Sequence, residues 1–300
     1  VTSDDVLIVD RGDIDAPAVL AAKLPWKIGF VVHAEHRSPD ERDQAIGVML
    51  WNNYYEFEFD HIDKYDYAIT ATETEKKQLE EDFAFNGNQN PAPIFAIPVG
   101  SVSKAVLDRK HVKVADREPH SLITVSRLAP EKHVDVIGNA IPLIKEKYPD
   151  VKLHVYGVGK HKEDLDKIIE EHSLQDNIIL HGHSYELDEP YENAQIYLSA
   201  STSEGFGLTY LEAISHGTTI VGLNAPYGIQ EMTDQGKVGT LIDYKRSDLK
   251  SASKKMAEEV IALFDNPEQL QKYSDESYAR SLNYSSESIA KKYEEWLETL

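Results

Sequence analysis

The sequence predicts an α/β protein whose parallel sheets are covered by helices on both faces. Two features carry that reading. Short apolar runs alternate with stretches of helical periodicity along the chain, and the runs are β-branched and nearly uninterrupted, as strands buried on both faces are. A length of 300 residues allows one large domain or two ordinary ones, each with its own core.

In the first third, strands are expected at VLIVD (6–10), KIGFVV (27–32), YAITA (67–71) and IFAIP (94–98), with helical patterns near 14–23, 40–58 and 73–84. GDIDAP holds one Asp-x-Asp, a pattern used elsewhere for Mg²⁺ and nucleotide sugars. A lone copy is common by chance, and it is read as the cap of the helix that follows. Further strands are expected at LITVS (122–126), KLHVYG (152–157), NIILHG (177–182), IYLSAS (196–201), TIVG (219–222) and GTLID (239–243), again with helices between them. Within VDVIGNAIPLIKEKY, Ile137, Ala140, Ile141 and Ile144 keep helical spacing, while Pro142 is expected to kink that helix or shift its register.

Residues 97–121 mix Pro, Gly and charge as apolar periodicity fades. This stretch is expected to separate a first domain (1–100) from a second (101–280). The last segment (281–300) carries an amphipathic helix, ESIAKKYEEWLETL, with Ile289, Tyr293 and Trp296 on one face. It lies more than 40 residues beyond the last strand, so it is free to leave its own sheet and cross back to the first domain.

Composition excludes several functions. There are no cysteines, which removes disulfides, thiolate metal sites and cysteine nucleophiles. No run approaches the ~18 apolar residues of a membrane helix. The opening VTSDDVLIVD has neither the basic nor the apolar region of a signal peptide, so no secretion signal is expected, and the lack of disulfides fits the expected cytoplasmic location. A net charge of -21 repels nucleic acid and anionic lipid over most of the surface, but leaves room for a small anion in a local basic pocket.

The stretch STSEGFGLTYLEAISHG (201–217) follows a strand and leads into a helix. Such a turn lies at the carboxyl edge of a parallel sheet, where open α/β folds bind ligands. Gly205 and Gly207 permit close backbone approach and φ > 0 around Phe206. The N–H groups of Gly207, Leu208 and Thr209 are placed to meet an anion at the helix start. Glu204 stands at the mouth of the turn and Glu212 about one turn into the helix. Taken alone, the stretch reads more readily as a glycine turn with Glu204 an incidental cap and Glu212 a solvated helix residue; the rest of the chain shifts that balance.

SRLAPEKH (126–133) places Arg127 and Lys132 about a Pro turn after another strand. The pair suits a diphosphate, or ordinary surface ion pairs. Gly157, in YGVGK, belongs to a G-x-G that is weak evidence by itself. HGHSYE contributes His181, His183 and Ser184; the two histidines have no third ligand at useful spacing, so no metal site is expected. His33, in VVHAEHRS, ends a first-domain strand and reads as a ligand contact or a structural histidine.

Together these motifs resemble a family. Glu204 and Glu212, in EGFGLTYLEA, resemble the E-x7-E signature of retaining glycosyltransferases of the GT-B fold, GT4 type, which have two Rossmann-like domains facing a cleft. SRLAPEKH resembles that family's Arg/Lys diphosphate motif; YGVGK, the HGH strand end and NAPYGIQEM fall in the expected order. VVHAEHRS, LWNNYYEFEF and IPVGS are similar to the accessory Sec-system glycosyltransferases, the GtfA type, which start O-glycosylation of serine-rich repeat adhesins.

The resemblance implies a UDP-sugar substrate (UDP-GlcNAc or UDP-glucose), Ser/Thr acceptors on an adhesin, a GtfB-type partner subunit and no cofactor. Membrane association, at the inner face, is implied only through that partner. The alternatives are a non-catalytic acceptor-binding subunit or a wall teichoic acid glycosyltransferase. Arg127 and Lys132 are implied to hold the diphosphate, Glu204 the donor sugar and Glu212 the ribose. The Gly207–Thr209 amides are implied to face the diphosphate, the HGHS loop the base, and His33 the sugar or β-phosphate. The family's usual glycine-rich first Rossmann segment and the β-rich acceptor region have no counterpart here. The chain is therefore expected to begin midway through the first domain, which bears on its activity.

Overall fold

The computed structural model describes residues 5–10, 12–37, 50–88 and 90–300. The chain forms two compact units: residues 1–99, 203–206 and 287–300 make the first, and residues 100–202 and 207–286 the second.

In the first unit, β1 (Val6–Val9), β2 (Lys27–Val32), β3 (Tyr67–Thr70) and β4 (Ile94–Ala96) form a parallel sheet in that order. Alternation along the strands buries both faces. Phe30, Val32 and Ala68 join one apolar cluster, while Val31, Tyr67 and Ile69 join another. That double burial is why these strands read as unbroken apolar runs. The helices α1 (Gly12–Ala21), α2 (Glu56–Asp60) and α3 (Glu73–Phe85) connect them. Thr72 caps α3, its hydroxyl accepting from the Glu75 N–H at 3.1 Å.

Two expectations fail here. The α1 helix begins at Gly12, so positions 13 and 15 lie within it rather than ahead of it as caps. The pattern at 40–58 gives a helix only from Glu56, and residues 38–49 lie outside those described. Asn52 accounts for the turn before it. Its N–H donates to the His36 carbonyl, its amide donates to the Glu35 carbonyl, and its side-chain oxygen accepts from the Tyr54 N–H.

In the second unit, β5 (Ser121–Val125), β6 (Lys152–Tyr156), β7 (Ile178–Gly182), β8 (Ile196–Ser199), β9 (Thr219–Leu223) and β10 (Thr240–Ile242) form a parallel sheet in the order β10-β9-β8-β5-β6-β7. The order reverses between β5 and β8, which makes the ends of those strands the topological switch point. The helices are α4 (Lys104–Leu107), α5 (Val134–Lys145), α6 (Lys162–Glu171), α7 (Asp188–Asn193), α8 (Leu208–Ser215), α9 (Gly228–Met232), α10 (Lys250–Phe264) and α11 (Pro267–Ser281). The α5 helix runs through Pro142 to Lys145 without a break. Its buried face, Ile137, Ala140, Ile141 and Ile144, shares one core with Met256 and Val260 of α10, and that packing outweighs the one backbone bond the proline removes.

The last helix, α12 (Ser286–Leu297), returns the chain to the first unit. Trp296 packs edge-on against Tyr67 (ring centroids 4.9 Å, 70°) in the cluster that holds Val31, Ile69 and Ile97.

Candidate active site

The loop after β5 is laced to the loop after β6. The Ser126 N–H donates to the Tyr156 carbonyl at 3.0 Å, and the Leu128 N–H donates to the Val158 carbonyl at 2.9 Å. This contact requires Gly157. Its φ is +139°, and a Cβ there would stand 1.8 Å from the Ser126 carbonyl oxygen. Gly157 therefore positions the Arg127 loop by backbone packing. Pro130–Lys132 makes one 3₁₀ turn, and His133 takes a left-handed conformation (φ 42°, ψ 50°) that turns the chain into α5.

Lys132 reaches across the switch point. Its Nζ donates to Ser201 Oγ, just past β8, at 3.4 Å, and the Thr202 N–H donates to the Glu131 carbonyl at 3.1 Å. Arg127 is different. Its side chain is 77% exposed and donates to Glu131 Oε1 at 2.8 Å. An exposed ion pair of that kind is worth about 0–1 kcal/mol, so an anionic ligand can replace Glu131 at small cost.

The α8 helix starts beside the end of β5. Tyr197 Oη lies 3.1 Å from the Val125 carbonyl and 2.9 Å from Thr209 Oγ1. Gly207, at φ 80° and ψ 74°, makes the entry turn; a Cβ there would meet the Tyr210 ring at 2.2 Å. The Tyr210 and Leu211 N–H groups return to the Gly207 carbonyl. The amides of Gly207, Leu208 and Thr209 have no acceptor within the helix and carry the positive end of its dipole. Two cations and a helix start at one switch point suit a pyrophosphate.

Further along α8, Glu212 Oε2 accepts the Tyr191 hydroxyl at 3.0 Å. Desolvation of its carboxyl raises the pKa above the usual range, opposed by the Tyr191 hydrogen bond and by His216.

Residues 108–280, which hold these loops and α8, match the family model "Glycosyl transferases group 1". The chain belongs to this family.

Among its relatives, the Streptococcus gordonii protein named UDP-N-acetylglucosamine--peptide N-acetylglucosaminyltransferase GtfA subunit is 38% identical over 283 residues, covering 94% of this chain and 54% of that protein. Its Streptococcus agalactiae counterpart of the same name is 39% identical over 285 residues, covering 94% and 55%. The crystal structure of the pneumococcal O-GlcNAc transferase GtfA in complex with UDP and GlcNAc superposes with a TM-score of 0.86 at 33% identity, covering 99% of this chain and 57% of that one. The chain thus spans about half the length of the curated relatives it matches. Its fold is GT-B.

The remaining motif residues of this glycosyltransferase chain fall into two groups. In the first unit, Gly205 lies against the end of β2; a Cβ there would stand 2.3 Å from the His33 carbonyl oxygen. That close approach brings the Glu204–Phe206 segment beside His33. The His33 ring contacts Asp10 Oδ1 through Nε2 at 2.7 Å, and the His33 backbone N–H donates to Tyr55 Oη at 2.8 Å. Glu204 is half-buried and Phe206 buried.

In the second unit, the His181 ring stacks on Tyr156 (4.3 Å, 2°) and hydrogen-bonds the His154 ring at 3.0 Å. Burial and the neighbouring His154 lower the His181 pKa. His183 packs edge-on against Tyr185, and the Ser184 hydroxyl closes a local turn with the Glu186 N–H and carbonyl. Among the described residues, no group of three or more His, Asp or Glu is placed to hold a metal, and no helix is long and apolar enough to cross a membrane.

Sequence reasoning missed the supports behind these residues. Arg117 is 3% exposed and donates to the carbonyls of Val112, Tyr191, Ala194, His216 and Gly217 and to Thr218 Oγ1. It lies in the stretch read as a domain boundary, where fading periodicity hides a buried charge. Tyr191 sits in the polar DEPYEN, which carries no apolar pattern to announce burial.

Proposed function

We propose that the chain forms the donor-binding part of a retaining, metal-independent glycosyltransferase that moves GlcNAc from UDP-GlcNAc to Ser/Thr hydroxyls of a serine-rich adhesin. The observation that carries this reading is the pyrophosphate cradle of Arg127, Lys132 and the Gly207–Thr209 amides at the β5/β8 switch point. The names of the streptococcal relatives and the UDP and GlcNAc of the pneumococcal structure support GlcNAc over glucose.

In this reading the bond between sugar C1 and the diphosphate oxygen breaks. The two cations and the amides stabilise the charge that develops on the leaving UDP. The acceptor hydroxyl attacks the same face, and its proton passes to the departing phosphate oxygen. Glu204 and His33 contact the sugar, Glu212 the ribose, and the His181–His183–Ser184 loop the base. A GtfB-type subunit is the partner, supported by the solved GtfA/B complex, which superposes with a TM-score of 0.86 at 35% identity.

A polyphosphate acceptor is less well supported. The Bacillus subtilis poly(glycerol-phosphate) alpha-glucosyltransferase is 28% identical over 281 residues, and a net charge of -21 repels such a polymer.

The test is transfer from UDP-GlcNAc to a serine-rich peptide by the full-length natural protein. Arg127→Ala and Glu204→Ala are each expected to lower kcat by about 10²-fold or more. Rates equal to wild type would refute the assignment.

A further inference from the structure

We infer that Tyr191 is the positioning residue that aims Glu212 at the ribose of the donor nucleotide. The inference rests on the reading of Glu212 as the ribose ligand and adds a residue that acts through it.

Glu212 is an exposed residue on α8, so left alone its carboxylate has several rotamers available. One buried group removes that freedom. The Tyr191 hydroxyl has a single proton, and its shorter contact is Glu212 Oε2 at 3.0 Å, against 3.4 Å to the Thr209 carbonyl.

Tyr191 is itself immobile. It is 1% exposed, and its ring lies nearly parallel to His216 (5.5 Å, 16°). Its carbonyl accepts from both Arg117 and the Thr218 hydroxyl. The His216 ring in turn contacts the Glu212 carbonyl through Nδ1 at 2.9 Å. The tyrosine and the backbone of its target are therefore tied into one block. An ionised carboxylate has four lone-pair sites. With one taken by Tyr191, the other oxygen is held ready to accept the paired hydroxyls of a ribose, and little rotamer freedom is left to lose on binding.

The experiment is UDP and 2′-deoxy-UDP titration by calorimetry, on the full-length natural protein, with Tyr191→Phe, Glu212→Ala and the double variant. Tyr191→Phe removes one oxygen and leaves the ring in its packing. It is expected to weaken UDP about tenfold, as loss of a hydrogen bond to a charged group does, and to reduce the preference for UDP over 2′-deoxy-UDP. In the Glu212→Ala background the same change is expected to have less than about a twofold effect, because the two residues act as one unit. Glu212→Asp draws the carboxylate away from the hydroxyl and is expected to lose the same preference; it serves as the second variant should Tyr191→Phe fail to fold.

Two outcomes overturn the inference while sparing the ribose reading. In one, Glu212→Ala weakens UDP but Tyr191→Phe changes neither affinity nor preference. In the other, Tyr191→Phe weakens UDP equally in both backgrounds, the mark of a purely structural role. If Glu212→Ala itself leaves UDP affinity unchanged, the ribose reading falls, and the inference with it.

Discussion

Replacing Arg117 by Met should destabilise the protein by roughly 2–5 kcal/mol, a figure that follows from its surroundings. Six oxygens surround the guanidinium. Three have another described donor or need none: the Tyr191 carbonyl also accepts from Thr218, the Gly217 carbonyl accepts from Ser274 at 2.6 Å, and the Thr218 hydroxyl is a donor itself. The carbonyls of Val112, Ala194 and His216 would be left without the donor described for them, at about 1–3 kcal/mol each.

Against that stands a relief. Burial lowers the Arg117 pKa from its usual range to about 10, with Glu192 opposing. A depressed base is costly to keep charged at every pH below its folded value, here on the order of 3 kcal/mol. The cost eases only as pH rises through about 10, so the effect of the substitution should not vary with pH between about 5 and 9. Arg117→Lys, which keeps three donors but not the planar fork, should lose less. Urea unfolding followed by circular dichroism measures the difference. An Arg117→Met protein within about 0.5 kcal/mol of wild type would show that the guanidinium does not tie the ends of α7 and α8 together.

Two further outcomes follow from particular contacts. Gly157→Ala should cost more than about 2 kcal/mol and weaken UDP, because the new methyl meets the Ser126 carbonyl that positions the Arg127 loop. Gly87→Ala, at φ +82° with nothing within 4 Å, should cost only about 1 kcal/mol, and equal thermal shifts for the two would sink the argument. Glu75 and His36 in the first unit form the second case. Burial raises the Glu75 pKa from 4.5 to about 7, and the carboxylates of Asp82 and Glu75 hold that of His36 up against its own burial. A raised acid and a raised base both favour the fold at low pH, so stability should fall between about pH 5 and 8. Asp82, lowered to about 2 by Arg37 and His36 against burial, contributes in the opposite sense and loses its effect only below pH 3.8. Thermal midpoints of Glu75→Gln should fall less steeply over pH 5–8 than those of wild type; parallel curves would remove Glu75 from the account.

The fold was legible because burial on both faces writes itself into a strand. Each of the ten strands read from the sequence is present to within two residues at either end. The loops that carry Arg127, Lys132 and Gly207 were legible for a related reason: each follows such a strand directly, so its place at the sheet's carboxyl edge is fixed by topology. Pairings between side chains far apart in sequence were not legible. No local pattern links Arg117 to residues about 75 and 100 positions later, or Tyr191 to Glu212. Residues 50–55 failed for the opposite reason. The aromatic spacing there imitates a helix, but Asn52 offers the backbone a competing set of hydrogen bonds.

On the proposed function, a chain of net charge -21 has to attract a pyrophosphate locally, and the two cations would do so differently. Lys132 is half-buried and held through Ser201, which fixes its charge at the switch point. Arg127 is exposed and engaged with Glu131, so it can exchange one carboxylate for a phosphate at little cost. The α8 amides add attraction without adding net charge. Salt should therefore separate the two cations. Binding that depends on Arg127 faces solvent and is screened with a Debye length near 8 Å at physiological ionic strength, whereas the Lys132 contribution is screened much less. In wild type, UDP affinity should fall with added salt. In Arg127→Ala that slope should flatten, while in Lys132→Ala it should persist from a weaker starting point. Identical slopes in both variants would mean that the two charges do the same work, and that the division between a fixed and an exchangeable cation is wrong.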